Sequence, residues 1–406
     1  MIPALLPVYD RIQVNFTHGT GVYLFDDKGK TYLDFSSGYA ANALGHCHPK
    51  MVEALISQST KLWHISNKYT ITGLLEYCER ITDMSFADTV FVANSGAEAV
   101  ECMIKMGRRY FSKKGQNNRY RFITFEGAFH GRTMGCISAS GGEKIKGFEP
   151  ALDGFDQVPW HDLEAVKAVI KPETAAIMIE PIQGEGGMRE CSESFLKSLR
   201  ALCDEHGMLL LLDEVQCGMG RTGYMFAHEM YGVRPDIIST GKGLGSGFPI
   251  SACLATAEVG KCMDPGTHGS TFGGNPMAVA IGNTVLNVML ENGFLDNVKK
   301  VSLYLRSRLE ELASSHPDVI TKITGKGLML GINLNQSFDA SAATKICFEK
   351  GILCMPASNN VLRITPPLII TRAHCDEAVE KLELAIKKMN QPGRKLLGQI
   401  AKIFSG

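Results

Sequence analysis

MLLLLDEVQCGMGRTG, residues 208–223, and PDIISTGKG, residues 235–243, are the stretches whose reading decides the fold. The first opens on five consecutive apolar residues, Met208 to Leu212, and runs straight into Asp213 and Glu214. Such a run predicts a strand buried on both faces that delivers acids at its carboxyl end. The second is a shorter apolar run that ends on Lys242 between two glycines, 29 residues after Asp213 (242 minus 213). An acid and a lysine are each carried out of a buried sheet.

Three readings of that pair are open on these residues. An ion pair at the end of two core strands is the plain one. A phosphate loop is the second, since residues 241–247 read GKGLGSG. The Walker spacing is absent, however, and the last glycine of a G-x-G-x-x-G begun at Gly241 falls on Ser246. The third is a Schiff-base lysine with a carboxylate that keeps a pyridine nitrogen protonated, the requirement of pyridoxal phosphate chemistry. Flanking glycines would let a flat cofactor approach the backbone.

Outward from these stretches, 406 residues exceed what one core usually organises, so two domains are expected. Lys plus Arg and Asp plus Glu balance at 42 each, which offers nucleic acid or an anionic membrane no electrostatic footing. A small-molecule partner is the expectation. The twelve cysteines are scattered with no C-x-x-C, as for reduced thiols in a cytoplasmic protein, and no metal site is expected. The first residues, MIPALLPVYDRIQ, lack a basic n-region and carry Pro3 and Pro7, and no apolar run reaches membrane-spanning length.

Residues 21–35 alternate apolar and polar around Asp26-Asp27-Lys28-Gly29, which predicts a hairpin. From 51 to 285 helices near 50–62 and 71–83 give way to strands at 89–93, 120–125, 175–179, 208–212, 236–240 and 250–255, an α/β pattern with a mostly parallel sheet. Residues 286–406 read as a smaller α+β domain, which residues 1–50 are expected to join. It has a long helix at 294–315 with Val298, Val301, Leu305, Leu309 and Leu312 on one stripe, strands at 328–334 and 361–364, and a helix at 371–389.

Ligands of open α/β sheets lie beyond the carboxyl ends of strands, so the strand ends are the candidate site. The first presents NSGAEA at 94–99, an anion site at a helix N-terminus or an ordinary Ser95 cap with Glu98 as its capping-box partner. EGAFHGR at 126–132 combines an aromatic with a cation, and His130 alone reads as a structural histidine. EPIQGEGG at 180–187 places acids on a glycine-rich loop.

Those motifs, with LGHCHP at 44–49, STGKGLGSGFP at 239–249, GSTFGGNP at 269–276 and LRITPPL at 362–368, resemble the class III, ornithine-type aminotransferases over nearly the whole chain. The resemblance implies the pyridoxal-phosphate transferase fold type I, bound pyridoxal 5'-phosphate and a homodimer with shared active sites. By position, Lys242 would bond the cofactor and then move the substrate proton, and Asp213 would hold the pyridine nitrogen. Glu214, Val215 and Gln216 would complete that wall, and Phe129 would stack on the ring. Ser95, Gly96 and Ala97 would take the phosphate, with Thr271 arriving from the neighbouring subunit. Arg363 would hold the α-carboxylate of glutamate and 2-oxoglutarate, masked by Glu185 while an ω-amine donor reacts, and Arg132 with Ser270 would bind the donor's carboxylate end.

N-acetylornithine is the expected donor and 2-oxoglutarate the acceptor. Free ornithine, succinyl-diaminopimelate and 4-aminobutyrate are alternative donors, and a decarboxylase or aminomutase on the same fold is the alternative of another class. Tyr39 departs from the acetylornithine pattern, which is usually aliphatic there, and would be either a substrate contact favouring unacylated ornithine or a core residue. The tail beyond Gln391 is expected to dock as a terminal helix rather than touch a membrane.

Overall fold

The computed structural model describes residues 3 to 391. Leu209–Asp213 is the middle strand of a seven-stranded sheet and is buried at every position. Across the sheet the order is Thr89–Ala93, Ser251–Ala255, Ile237–Thr240, Leu209–Asp213, Thr174–Ile179, Arg121–Phe125 and Phe155–Val158. Ser251–Ala255 runs antiparallel to both of its neighbours, while the other pairings are parallel. The mostly parallel sheet predicted from the continuous apolar runs is therefore present. Its last strand, Phe155–Val158, was not predicted: FDQV is half polar and sits at an edge, where one apolar face suffices.

Helices cover this sheet, and their ends follow local chemistry. Gly96–Lys113 is capped by Ser95, whose hydroxyl accepts from the Glu98 N–H. Glu193–His206 starts at the Ser192 cap and stops at Gly207, whose φ of +60° suits a residue without a side chain. Ser95 opens its helix at the carboxyl end of Thr89–Ala93, and Gly207 returns the chain to the amino end of Leu209–Asp213.

The second layer is an antiparallel sheet of Ile320–Lys326, Met329–Leu334, Val361–Ile364 and Met355–Ala357, backed by Phe294–Ser315 and Ala340–Glu349, with Arg372–Met389 packed against both helices. The predicted stripe on Phe294–Ser315 is its buried face: Val298, Val301, Leu305, Leu309 and Leu312. Each such side chain is worth about 2 kcal/mol in apolar area removed from water. The N-terminal hairpin, Tyr23–Asp26 with Thr31–Asp34, gains a third strand, Phe16–Thr20, and pairs in parallel with Ile352–Leu353. Pro276–Met289 is one helix, and residue 285 lies within it.

Among the described residues all twelve cysteines are free, no group of acids, histidines and cysteines is arranged to hold a metal, and no helix is long and apolar enough to cross a membrane. The tail from residue 392 lies outside the described residues.

Candidate active site

The carboxyl ends of the parallel strands open on a cavity of about 160 Å³ lined by Gly96, Ala97, Phe129, His130, Gly131, Glu180, Glu185, Asp213, Val215, Gln216 and Lys242. Parallel register sets Asp213 beside Ser239, so the Ser239 hydroxyl donates to Asp213 Oδ1 at 3.0 Å. The Val215 N–H reaches the same oxygen at 3.1 Å, and Oδ2 meets His130 Nδ1 at 2.7 Å. Asp213 is thus fixed on both oxygens at the floor of the site.

His130 is more than the structural histidine predicted. Burial alone would lower its pKa, but the bond to Asp213 and the nearby Glu180 override that and raise it. Its Nε2 is buried with no hydrogen-bond partner among the described residues. Glu180, equally buried, accepts from the Phe129 N–H at 2.9 Å, and burial together with the negative Asp213 pushes its pKa up to about 7. Sequence reasoning assigned neither residue to the site. Each stands at a strand end already singled out, but only the sheet's lateral order brings 130, 180 and 213 together.

Lys242 follows Ile237–Thr240 with a left-handed φ of +44°, a conformation that projects it out of the sheet edge and carries strain. Burial and then the like charge of Arg363 bring its pKa down to about 8, against the pull of Asp213, Glu180 and Glu185. An amine so placed is partly neutral near neutral pH, which a nucleophile or base requires.

At the other side of the cavity lies the first turn of Gly96–Lys113. A Cβ on Gly96 would come within 2.6 Å of Val215, so only glycine lets helix and loop close on each other. The N–H groups of Gly96 and Ala97 belong to the first turn, where a helix supplies no partner of its own. The Ser95 hydroxyl behaves as a cap: it donates to Glu98 Oε2 at 3.0 Å and accepts from the Glu98 N–H at 3.3 Å. The Ser95 cap read from NSGAEA is therefore present, and Gly96 and Ala97 of the same first turn line the cavity.

Phe129 forms one wall, with the Arg132 guanidinium 5.2 Å and the Lys144 amine 5.5 Å from its ring centre. The opposite lip is built from distant segments. Arg363 is 1% exposed and donates to Glu185 Oε1 at 2.9 Å, to Gln216 Oε1 at 3.4 Å and to the Pro356 carbonyl at 3.2 Å. Tyr39 stacks its ring 4.9 Å from that guanidinium and is 45% exposed, so it is not a core tyrosine.

Two of the expected residues, Glu214 and Ser270, stand elsewhere, while Thr271 was expected in the neighbouring subunit's site. Glu214, expected with the cofactor, turns to the opposite side of the strand end and accepts from the N–H groups of Ala227 and His228 and from His228 Nδ1. Side chains alternate across a strand, and at its end Glu214 continues that alternation away from the side that Asp213 faces. Ser270 bonds Asn94 Nδ2 at 3.1 Å and Glu98 Oε1 at 3.4 Å instead of standing beside Arg132. Thr271 is exposed and lies outside the cavity of its own chain.

A buried amine, a fixed carboxylate, an aromatic wall and free first-turn N–H groups match, in turn, the aldehyde, ring nitrogen, ring face and phosphate of pyridoxal 5'-phosphate. Comparison with known proteins agrees. The chain matches the family described as Aminotransferase class-III over residues 6–386. It is 50% identical over 388 residues to the acetylornithine aminotransferase of Mesorhizobium japonicum, covering 95% of this chain and 96% of that one. It is 52% identical over 385 residues to acetylornithine aminotransferase 1 of Bradyrhizobium diazoefficiens, covering 94% of each. Among solved structures, ornithine aminotransferase from Toxoplasma gondii superposes with a TM-score of 0.91 at 30% identity, over 96% of this chain and 93% of that one. N-acetylornithine aminotransferase from Stenotrophomonas maltophilia does so at 0.83 and 36%, over 94% and 97%.

Proposed function

We propose, from the premise that this chain belongs to the class III aminotransferases and uses pyridoxal 5'-phosphate, that it moves the ω-amino group of N-acetylornithine to 2-oxoglutarate, releasing the semialdehyde and glutamate. When bound, the cofactor supplies a carbonyl that takes up the amino group and a ring that stores the electron pair. The rest is the work of this chain. Lys242 holds the cofactor and then carries the proton to and from the substrate carbon, a task suited to an amine whose pKa burial brings to about 8. Asp213, fixed by Ser239, Val215 and His130, keeps the ring nitrogen protonated. Gly96 and Ala97, with Ser95, receive the phosphate, while Val215, Gln216 and Phe129 orient the ring.

The observation that carries the reading of two unlike substrates is the Glu185–Arg363 pair at 2.9 Å beside Lys242. A monocarboxylic ω-amine donor meets a masked Arg363. A dicarboxylic acceptor competes with Glu185 for the guanidinium, which gives one pocket two states. Arg132, at the far wall, takes the donor's carboxylate. The names of relatives about half identical to this chain favour the acetylated donor.

The reading includes a cytoplasmic homodimer in which Ser270 and the exposed Thr271 serve the neighbour's site. It treats residues 1–50 and 286–406 as one small domain beside the large domain, 51–285. Single-turnover absorbance of the holoenzyme mixed with N-acetylornithine, ornithine or 4-aminobutyrate tests the donor. Fast conversion by N-acetylornithine is expected; conversion faster with free ornithine would move the enzyme to that substrate and make Tyr39 the reason.

A further inference from the structure

Tyr39 stands in a backbone that L-residues avoid. Ser37, Gly38, Tyr39 and Ala40 have φ of +40°, +59°, +61° and +67°, and the Ala40 N–H donates to the Ser36 carbonyl at 3.0 Å. This is one turn of left-handed helix in which three of the four residues carry a conformational penalty. Surrounding contacts must impose it.

At the entrance to the turn, Asp34 Oδ1 accepts from the Ser36 N–H at 3.0 Å, the Ser36 hydroxyl at 2.7 Å and the Ser37 N–H at 2.8 Å. The Ser37 hydroxyl donates to the Thr365 carbonyl, and the Thr365 hydroxyl returns a bond to the Ser36 carbonyl at 3.0 Å. The exit is held differently. The Ala40 carbonyl accepts from Arg221 Nη2 at 3.4 Å.

Arg221 is 2% exposed, and Nη1 also donates to the carbonyls of Leu328, at 3.3 Å, and Pro366. Among the described residues it has no carboxylate partner, and burial pulls its pKa down to about 9. An unpaired buried cation is costly, and packing alone would be better served by an apolar side chain. The three carbonyls belong to three separate segments: the turn that carries Tyr39, the turn just before the strand Met329–Leu334, and the chain three residues beyond Arg363. Only a rigid planar fork of five donors can hold all three at once.

We propose that Arg221 is a positioning residue for the carboxylate end of the substrate: it clamps the left-handed turn to the segment beyond Arg363 and so sets the stack of Tyr39 on the Arg363 guanidinium. The ring then limits the water that reaches Arg363 and fixes the direction from which a carboxylate enters. The proposal rests on the reading of Arg363 as the carboxylate site.

The test is the calorimetric affinity of the holoenzyme for glutarate, an unreactive dicarboxylate, so that no turnover is needed. Arg221→Lys keeps the buried charge and loses the fork; it is expected to weaken binding about tenfold. In a Tyr39→Ala background the same change is expected to cost less than about twofold, because the group through which it acts is gone. A full penalty in that background would overturn the proposal. So would unchanged affinity of Arg221→Lys while Arg363→Lys loses it, and the carboxylate reading would then stand. Unchanged affinity of Arg363→Lys would sink that reading and the proposal with it. Ala40→Gly covers the case in which Arg221→Lys fails to fold. It loosens the turn at the clamped residue without breaking a side-chain bond, and is expected to weaken glutarate about threefold with no loss of thermal stability; unchanged affinity would overturn the proposal.

Discussion

The floor of the site and its lip are built on different principles. Asp213, His130, Glu180 and Lys242 stand at the ends of buried strands, where the register of one sheet fixes them side by side. Tyr39, Glu185 and Arg363 come from a left-handed turn, a glycine-rich loop and a strand of another sheet, and they meet only through the packing of one layer on another. The floor is over-determined and holds one arrangement. The lip has a cation bonded to Glu185, Gln216 and the Pro356 carbonyl at once, the feature on which the proposed site for two unlike substrates rests.

The contrast predicts a steep gradient of mutational effects. Lys242→Ala should lower single-turnover transamination by on the order of a thousandfold or more and remove the visible band of the holoenzyme, since among the described residues Lys242 is the only amine that lines the cavity. Retained turnover without added amine would break the distinction at its strongest point. Glu185→Ala should act through choice rather than rate: Arg363 loses its internal partner, and preference in the first half-reaction should move about tenfold towards α-amino donors such as glutamate. An unchanged donor ratio would mean that the pair is structural.

A third test separates the two regions by pH. Glu180 has a folded pKa of about 7 against an ordinary 4.5, so the folded state holds its proton more tightly than the unfolded chain. Stability attributable to Glu180 is present below about 4.5 and is lost as pH rises through about 7, by no more than roughly 3 kcal/mol. Thermal midpoints of wild type and Glu180→Gln measured from pH 5 to pH 8 should therefore diverge, with wild type falling relative to the variant. Parallel curves would show that the floor does not carry this strain. The smallest effect is expected for Tyr39→Phe, which keeps the ring over Arg363 and loses only the hydroxyl: less than about threefold in the preference between N-acetylornithine and ornithine. A larger change would make the phenol a direct reader of the donor.

Fold similarity does not choose the donor, since ornithine and acetylornithine aminotransferases both superpose closely on this chain. The choice rests on the lip, where sequence reasoning had least purchase. His130 shows the same limit at the floor. Taken alone it reads as a satisfied histidine, and its bond to Asp213 exists because two strands far apart in sequence share one sheet. Glu214 shows it in reverse: adjacency to Asp213 in the chain suggested a shared role, and strand alternation sends it to the capping of another helix.

By itself the sequence determined the strand cores, the caps, the stripe of Phe294–Ser315 and the identity of the amine and acid at the centre, because apolar periodicity, capping and side-chain chemistry are local. Only the tertiary structure decided which buried groups bond one another, which cation a carboxylate pairs with and which carbonyls hold Arg221. Those are properties of distances between segments as far apart as residues 39, 185 and 363, and no local pattern encodes a distance across the fold.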